Sequence, residues 1–166
     1  MRDDSDPVAD MAALYRQTWP RLIGVLVSIG GSRADAEEVA QDAYVKLLAR
    51  WDAIRRFDDP ETWVRAVAVR TMISRVRRRQ VATRALARLT GRPDTARGTD
   101  GAALDVAAAL ARITPEQRAI VVLHDVLELP IEQIAVDLQL APGAVKSRLA
   151  RARLALEPVS AVTENA

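Results

Sequence analysis

The chain has 166 residues, a formal net charge of +2 and 49% hydrophobic side chains, a globular composition with room for one domain or two small ones. It contains no cysteine, which excludes disulfides and thiolate metal sites and agrees with a reducing cytoplasm. The charged, proline-containing N-terminus does not read as a secretory signal, and the longest apolar run near it, Leu22 to Ile29, is too short to span a bilayer. A soluble, cytoplasmic protein is the expectation.

Apolar residues recur at helical spacing nearly throughout and β-branched alternation is scarce, so the predicted fold is all-α. A first helix is predicted over Val8 to Ile29, with Leu14, Tyr15, Leu22, Val25, Leu26 and Ile29 available to a core and Gly30-Gly31 as its stop. Ser32 then caps a second helix whose buried side is Ala36, Val39, Ala40, Ala43, Leu47, Leu48 and Trp51. Its polar side gathers Glu37, Glu38, Gln41, Asp42 and Lys46. Asp59-Pro60 opens a third helix, aspartate as cap and proline in the first turn. From Thr62 to Pro93 there is no acid, while Arg70, Arg75, Arg77 and Arg78 fall on the helix together with Trp63, an aromatic among cations of the kind that single-stranded nucleic acid uses. Trp63 also keeps helical spacing with Val67, which suits core packing.

Periodicity fails in "TGRPDTARGTDG", and a flexible linker over residues 89–102 is expected to join a domain at 8–88 to another at 103–157. Thr114-Pro115-Glu116-Gln117 has the form of a capping box. Pro130 and Pro142 start the next two helices, and the break at "QLAPG" between them gives helix-turn-helix spacing. In the second of these helices Val145, Leu149, Ala152 and Leu156 form one apolar stripe at about 100° per residue. Lys146, Ser147, Ala150 and Arg151 are then placed for a DNA groove, and Arg148 and Arg153 for the phosphates that flank it. Signals for enzyme chemistry are poor. His124 is the only histidine and follows an apolar run, which suits helix packing, and the acidic cluster at Asp35, Glu37, Glu38 and Asp42 has no histidine or cysteine companion. No catalytic residue, metal site, cofactor or small-molecule substrate is expected.

With these motifs in place the chain resembles the extracytoplasmic-function (ECF) class of bacterial sigma factors, of the sigma-70 family, over about Leu14 to Leu156. "DAEEVAQDAYVKLLARW" is similar to the family's polymerase-docking helix, and "PETWVRAVAVRTMISRVRRR" to its promoter-opening helix. "LARITPEQRAIVVLHDVLELPIEQIAVDLQLAPGAVKSRLARARLAL" is similar to its upstream-element domain. The resemblance implies that Glu38, Gln41 and Asp42 face a coiled coil on the clamp of the largest subunit of core RNA polymerase. It implies that the loop from Ile54 to Pro60 helps hold a base flipped out of the downstream (−10) promoter element, while Trp63, Arg70, Arg75, Arg77 and Arg78 hold the exposed strand or adjoining duplex. Extruding that base costs a few kcal/mol, which strand binding must offset. Lys146, Ser147, Arg148, Ala150, Arg151 and Arg153 would engage the upstream (−35) element. An anti-sigma factor is a common partner in the family. Arg70 and Ser74 stand where the family often has Asn and Asp, Ala144 where threonine usually follows the turn glycine, and small Ala150 where some members are bulkier. The alternative from another class is a stand-alone helix-turn-helix regulator that does not bind polymerase.

Overall fold

In the computed structural model, which describes residues 6–57, 59–91 and 108–163, every regular element among those residues is helical. Helix α1 runs Pro7–Gly30. The Asp6 carboxylate accepts from the Val8 N–H at 3.0 Å at its start. Gly31 ends it in the left-handed region (φ 74°), where a side chain would be strained, and donates its N–H to the Val27 carbonyl. Pro20 lies inside α1, an exception to prolines at helix starts, on the exposed side of the helix.

Helix α2 spans Arg33–Ala49, its first turn closed by Ser32 Oγ accepting from the Asp35 N–H at 3.3 Å. It buries Ala36, Val39, Ala40, Ala43 and Leu47 as expected. It also buries Tyr44, whose hydroxyl lies 2.5 Å from Thr18 Oγ1, while Leu48 is turned outward, 56% exposed. The expected loop from Ile54 to Pro60 is largely a helix instead: α3, Trp51–Phe57, anchored by buried Trp51 and Ile54. Residue 58 lies outside the described residues.

Helix α4, Pro60–Thr90, is the longest. Asp59 Oδ2 accepts from both the N–H (3.1 Å) and the hydroxyl (2.7 Å) of Thr62, and Gly91 closes the other end at φ 65°. Leu89 and Thr90, assigned to the linker from sequence, complete this helix. The rest of that linker, 92–102, lies outside the described residues.

After a helical turn at 108–111, α5 covers Pro115–Val121, and its capping box is complete. Thr114 Oγ1 accepts from the Gln117 N–H (3.1 Å) and Gln117 Oε1 from the Thr114 N–H (2.9 Å). One wide turn, Val122–Val126, follows, in which the Leu127 N–H reaches the Val122 carbonyl five residues back. Helix α6, Ile131–Leu138, ends at Gln139 in the left-handed region (φ 58°), and α7 runs Pro142–Thr163.

Leu26, Ile29, Val39, Leu47, Val64, Val69 and Met72 fill the space between α1, α2 and α4. Ile120, Leu123, Ile134, Val145 and Leu149 fill that between α5, α6 and α7. The two sets are one continuous cluster, because α1 and α4 also pack against α5, and α4 against α6. At Gly30 a Cβ would come within 2.7 Å of Met72 Sδ, so the missing side chain lets the end of α1 close on α4.

The capping box sets where α5 begins, and α5 carries Ala119 and Ile120 into the shared core. Thr114→Ala leaves the Gln117 N–H without its acceptor and is expected to lower stability by about 1 kcal/mol, read as a lower urea midpoint at unchanged slope.

Candidate nucleic-acid interface

Burial of Val145, Leu149 and Ala152 fixes the rotation of α7 about its axis. That rotation exposes Lys146, Ser147, Ala150 and Arg151 along one outward face, the four side chains read from sequence as groove-facing. Leu156, at the end of the predicted stripe, is half-buried. The two flanking arginines are engaged within the protein. Arg148 Nε donates to Glu116 Oε1 at 2.7 Å and Arg153 Nη2 to Asp125 Oδ1 at 2.5 Å. His124 does not pack into the core as a plain helix residue. The wide turn after α5 leaves it half-buried beside Asp125, with Nδ1 2.7 Å from the carboxylate that also holds Arg153.

The arginines of α4 meet partners on three other helices. Arg75 makes a forked contact to Glu38 on α2 (2.8 and 2.9 Å) and a further one to Asp35 Oδ1 (3.1 Å), and Arg79 bonds the other oxygen of Asp35. Arg77 Nη2 reaches Glu116 Oε2 on α5 at 2.8 Å. Arg70 Nη1 donates to the backbone carbonyl of Asp137 on α6 at 2.5 Å. Arg78 is exposed, with only a 3.4 Å approach to the Ser74 carbonyl of its own helix. Trp63 is half-buried against the core and lines two grooves at once, one bounded by Thr62, Arg70, Val136 and Asp137, the other by Lys46, Arg50, Val67 and Arg70. Core packing and groove lining are therefore both its work. Lys46 was expected on the solvent side of α2 but not as a groove residue, and Arg50 was missed, though their spacing of four puts them on one side of that helix.

On α2, Gln41 and Asp42 are exposed beside Val45 and Leu48, so the outward strip is mixed apolar and acidic rather than purely charged. Glu38 borders it, its carboxylate directed at Arg75. Hydrogen bonding from Arg75 holds Glu38 below its usual pKa. For Asp35, burial pushes the carboxyl up, and the bonds from Arg79, Ser32 and Arg75 outweigh it, leaving it lowered as well. Among the described residues no group of His, Cys, Asp and Glu could hold a metal, and no helix is long and apolar enough to cross a membrane.

The chain thus joins a helical first half that carries an arginine-rich helix to a second half that contains a helix-turn-helix. The sigma-70 region 2 family model matches residues 14–81 and the sigma-70 region 4 model residues 103–156. The chain is 28% identical to the ECF RNA polymerase sigma factor SigE of Mycolicibacterium smegmatis over 164 residues, covering 89% of this chain and 63% of that protein. It is 33% identical to the RNA polymerase sigma-E factor of Streptomyces avermitilis over 122 residues, 71% of this chain and 66% of the relative. It thus spans just under two thirds of the length of both. Among solved structures, the sigma factor RpoE, crystallised with the anti-sigma factor NepR from Bartonella quintana, has the same fold, with TM-score 0.70 at 23% identity over 92% of this chain and 98% of that one. The chain belongs to the sigma-70 family, in its ECF class.

The α2–α4 ion pairs make stability depend on pH. Both carboxyls have lowered pKa values in the folded chain, so the unfolded chain takes up protons first as pH falls. The contribution is whole above the ordinary carboxylate range and is lost through and below about pH 4. Melting temperature measured from neutral to acid pH is expected to fall less steeply in Arg75→Gln than in the parent, because that variant has already lost the fork to Glu38.

Proposed function

We propose that this chain acts as a sigma factor: it binds core RNA polymerase and directs initiation at selected promoters, with no covalent step of its own. The observation that carries the reading is the presence, on one chain, of a helix-turn-helix with Lys146, Ser147, Ala150 and Arg151 facing outward and a separate exposed strip of Gln41, Asp42, Val45 and Leu48. A stand-alone regulator would need the first face and not the second.

In this reading residues 8–90 form the polymerase-binding and downstream-element unit, 91–102 the spacer, and 103–157 the upstream-element unit. Asp42, Gln41 and Glu38 face the clamp of the largest subunit, where acidic and apolar groups side by side give both steering and buried area. Trp63 offers a ring for an unstacked base, while Arg70, Arg75, Arg77 and Arg78 neutralise the strand beside it. Lys146 and Ser147 read base edges, Ala150 lets the helix sit deep in the groove, and Arg148, Arg151 and Arg153 hold phosphates. An anti-sigma factor is a further partner in this reading. The RpoE relative was solved with one, and the same exposed faces would have to be covered when the factor is idle.

The direct test is transcription with core polymerase as the only other protein. Initiation from a subset of genomic promoters is expected, and duplex binding without initiation would leave the stand-alone regulator. Asp42→Arg is expected to weaken assembly with core polymerase about tenfold in a competition assay, with duplex binding by the free chain unchanged or raised. Lys146→Ala should cost about 1–3 kcal/mol of discrimination at a single upstream position, whereas Arg153→Ala should weaken all duplexes alike and reduce the salt slope by up to about one.

A further inference from the structure

The two grooves beside Trp63 differ in hydrogen-bonding character. The one it shares with Asp59, Thr62 and Asp137 is lined by carboxylates and a hydroxyl. In the other, completed by Lys46, Ala49, Arg50, Val67 and Arg70, every polar side chain is a donor and none accepts. Trp63, Val67 and Ala49 give that second groove an apolar wall against which a flat ring can lie. Lys46 and Arg50 are exposed, and among the described residues neither has a carboxylate partner. Asp52, the acid nearest Arg50 in sequence, pairs with Arg55 instead at 3.3 Å. The backbone of Arg50 is fixed on both sides. Its N–H closes α2 on the Leu47 carbonyl (3.0 Å), and its carbonyl accepts from Ala53 (3.1 Å) and Ile54 (3.0 Å) at the start of α3, where Trp51 and Ile54 are buried. A guanidinium with its N–H groups unspent is therefore carried on a rigid junction at the rim of the groove. Arg70 differs, since its Nη1 is already taken by the Asp137 carbonyl.

We infer that Arg50 makes this groove selective for an unpaired guanine. The inference rests on the proposed role of Trp63 as the ring for an unstacked base, and it names the base. Guanine sets two acceptors, O6 and N7, side by side, and a guanidinium meets such a pair with two parallel hydrogen bonds. Adenine sets the N6 donor beside N7, and thymine sets a methyl group beside O4, so in either case one N–H of Arg50 is left without an acceptor. A site built on hydrogen bonds rejects a ligand that leaves its own groups unpaired. Cytosine offers adjacent acceptors at O2 and N3 on a smaller ring, which covers less of Trp63, and ranks second. A phosphate alone would satisfy the cations but leave the apolar wall bare, whereas a base stacked there uses both. Lys46, a compact cation without a fork, suits the phosphate of the same nucleotide.

The test uses short oligothymidine strands with guanine, adenine, cytosine or thymine at one central position. Their binding to the full chain, free and assembled with core polymerase, is measured by fluorescence anisotropy at low salt. The guanine strand is expected to bind about tenfold more tightly than the adenine strand, with cytosine between them. Arg50→Lys keeps the charge and removes the fork. It should bring the guanine-to-adenine ratio to about two or less while affinity for plain oligothymidine stays within about twofold. Lys46→Ala should weaken all four strands alike. The inference is overturned if no guanine preference appears in either state of the chain, whether the strands bind equally or not at all. It is equally overturned if Arg50→Lys retains the preference, or if Arg50→Ala weakens every strand by one factor, the mark of a phosphate contact only. Arg50 is exposed, so these variants do not put the fold at risk. A guanine preference in a chain that fails to initiate keeps the base site and removes the sigma function, whereas initiation with no base preference at the groove does the reverse.

Discussion

A helix that carries arginine after arginine and no carboxylate beyond Glu61 cannot supply its own counter-charge, and the rest of the structure is arranged around that deficit in α4. Three other helices provide the acceptors: α2 through Asp35 and Glu38, α5 through Glu116, and α6 through Asp137. Each of these elements also presses an apolar face on α4 or α1. Burial supplies most of the free energy of packing, since exposed ion pairs contribute little. The ion pairs restrict which rotations of those helices are compatible with it.

The pairs are not equivalent. Arg75 with Glu38 and Asp35 lies within the first half, at an edge open to water, and adds modestly to a contact that Val39, Val69 and Met72 already hold. Arg65 with Asp137 crosses between halves and is almost wholly withdrawn from water, so its Coulombic gain is offset by desolvation and its net value is small while it is intact. Broken on one side only, it would leave a buried charge alone at a cost of about 3–5 kcal/mol.

How much of this could be read from sequence follows from the range of each interaction. The caps at Ser32, Asp59 and Thr114 were legible because donor and acceptor lie within three residues, and the hydroxyl and carboxylate chemistry at those positions has few other uses. The outward face of α7 was legible because three buried positions at helical spacing determine it. Glu116 and Asp137 were not recognised as acceptors for α4, since their arginine partners are 39 and 72 residues away along the chain. Helix α3 escaped notice because seven residues with two adjacent arginines show too little periodicity. Leu48 was assigned inward and Tyr44 left out for one reason: helix α2 is rotated so that Tyr44 reaches Thr18 beneath α1, which carries Leu48 and Val45 outward beside Asp42. That small error concealed the apolar half of the exposed strip.

A net charge of +2 would suggest indifferent affinity for a polyanion, and much of the arginine charge on α4 is indeed neutralised from within. The strength of nucleic-acid binding depends on how many cations meet phosphates and release counterions, not on the sum over the chain. Glu116 alone holds Arg77 of α4 and Arg148 of α7, one with each oxygen, so two cations are neutralised at a single point. The electrostatic contribution therefore rests on cations that face water, Lys146 and Arg151 of α7 and Arg78 of α4 among them, more than on the arginines held by Asp35, Glu38, Glu116 and Asp137.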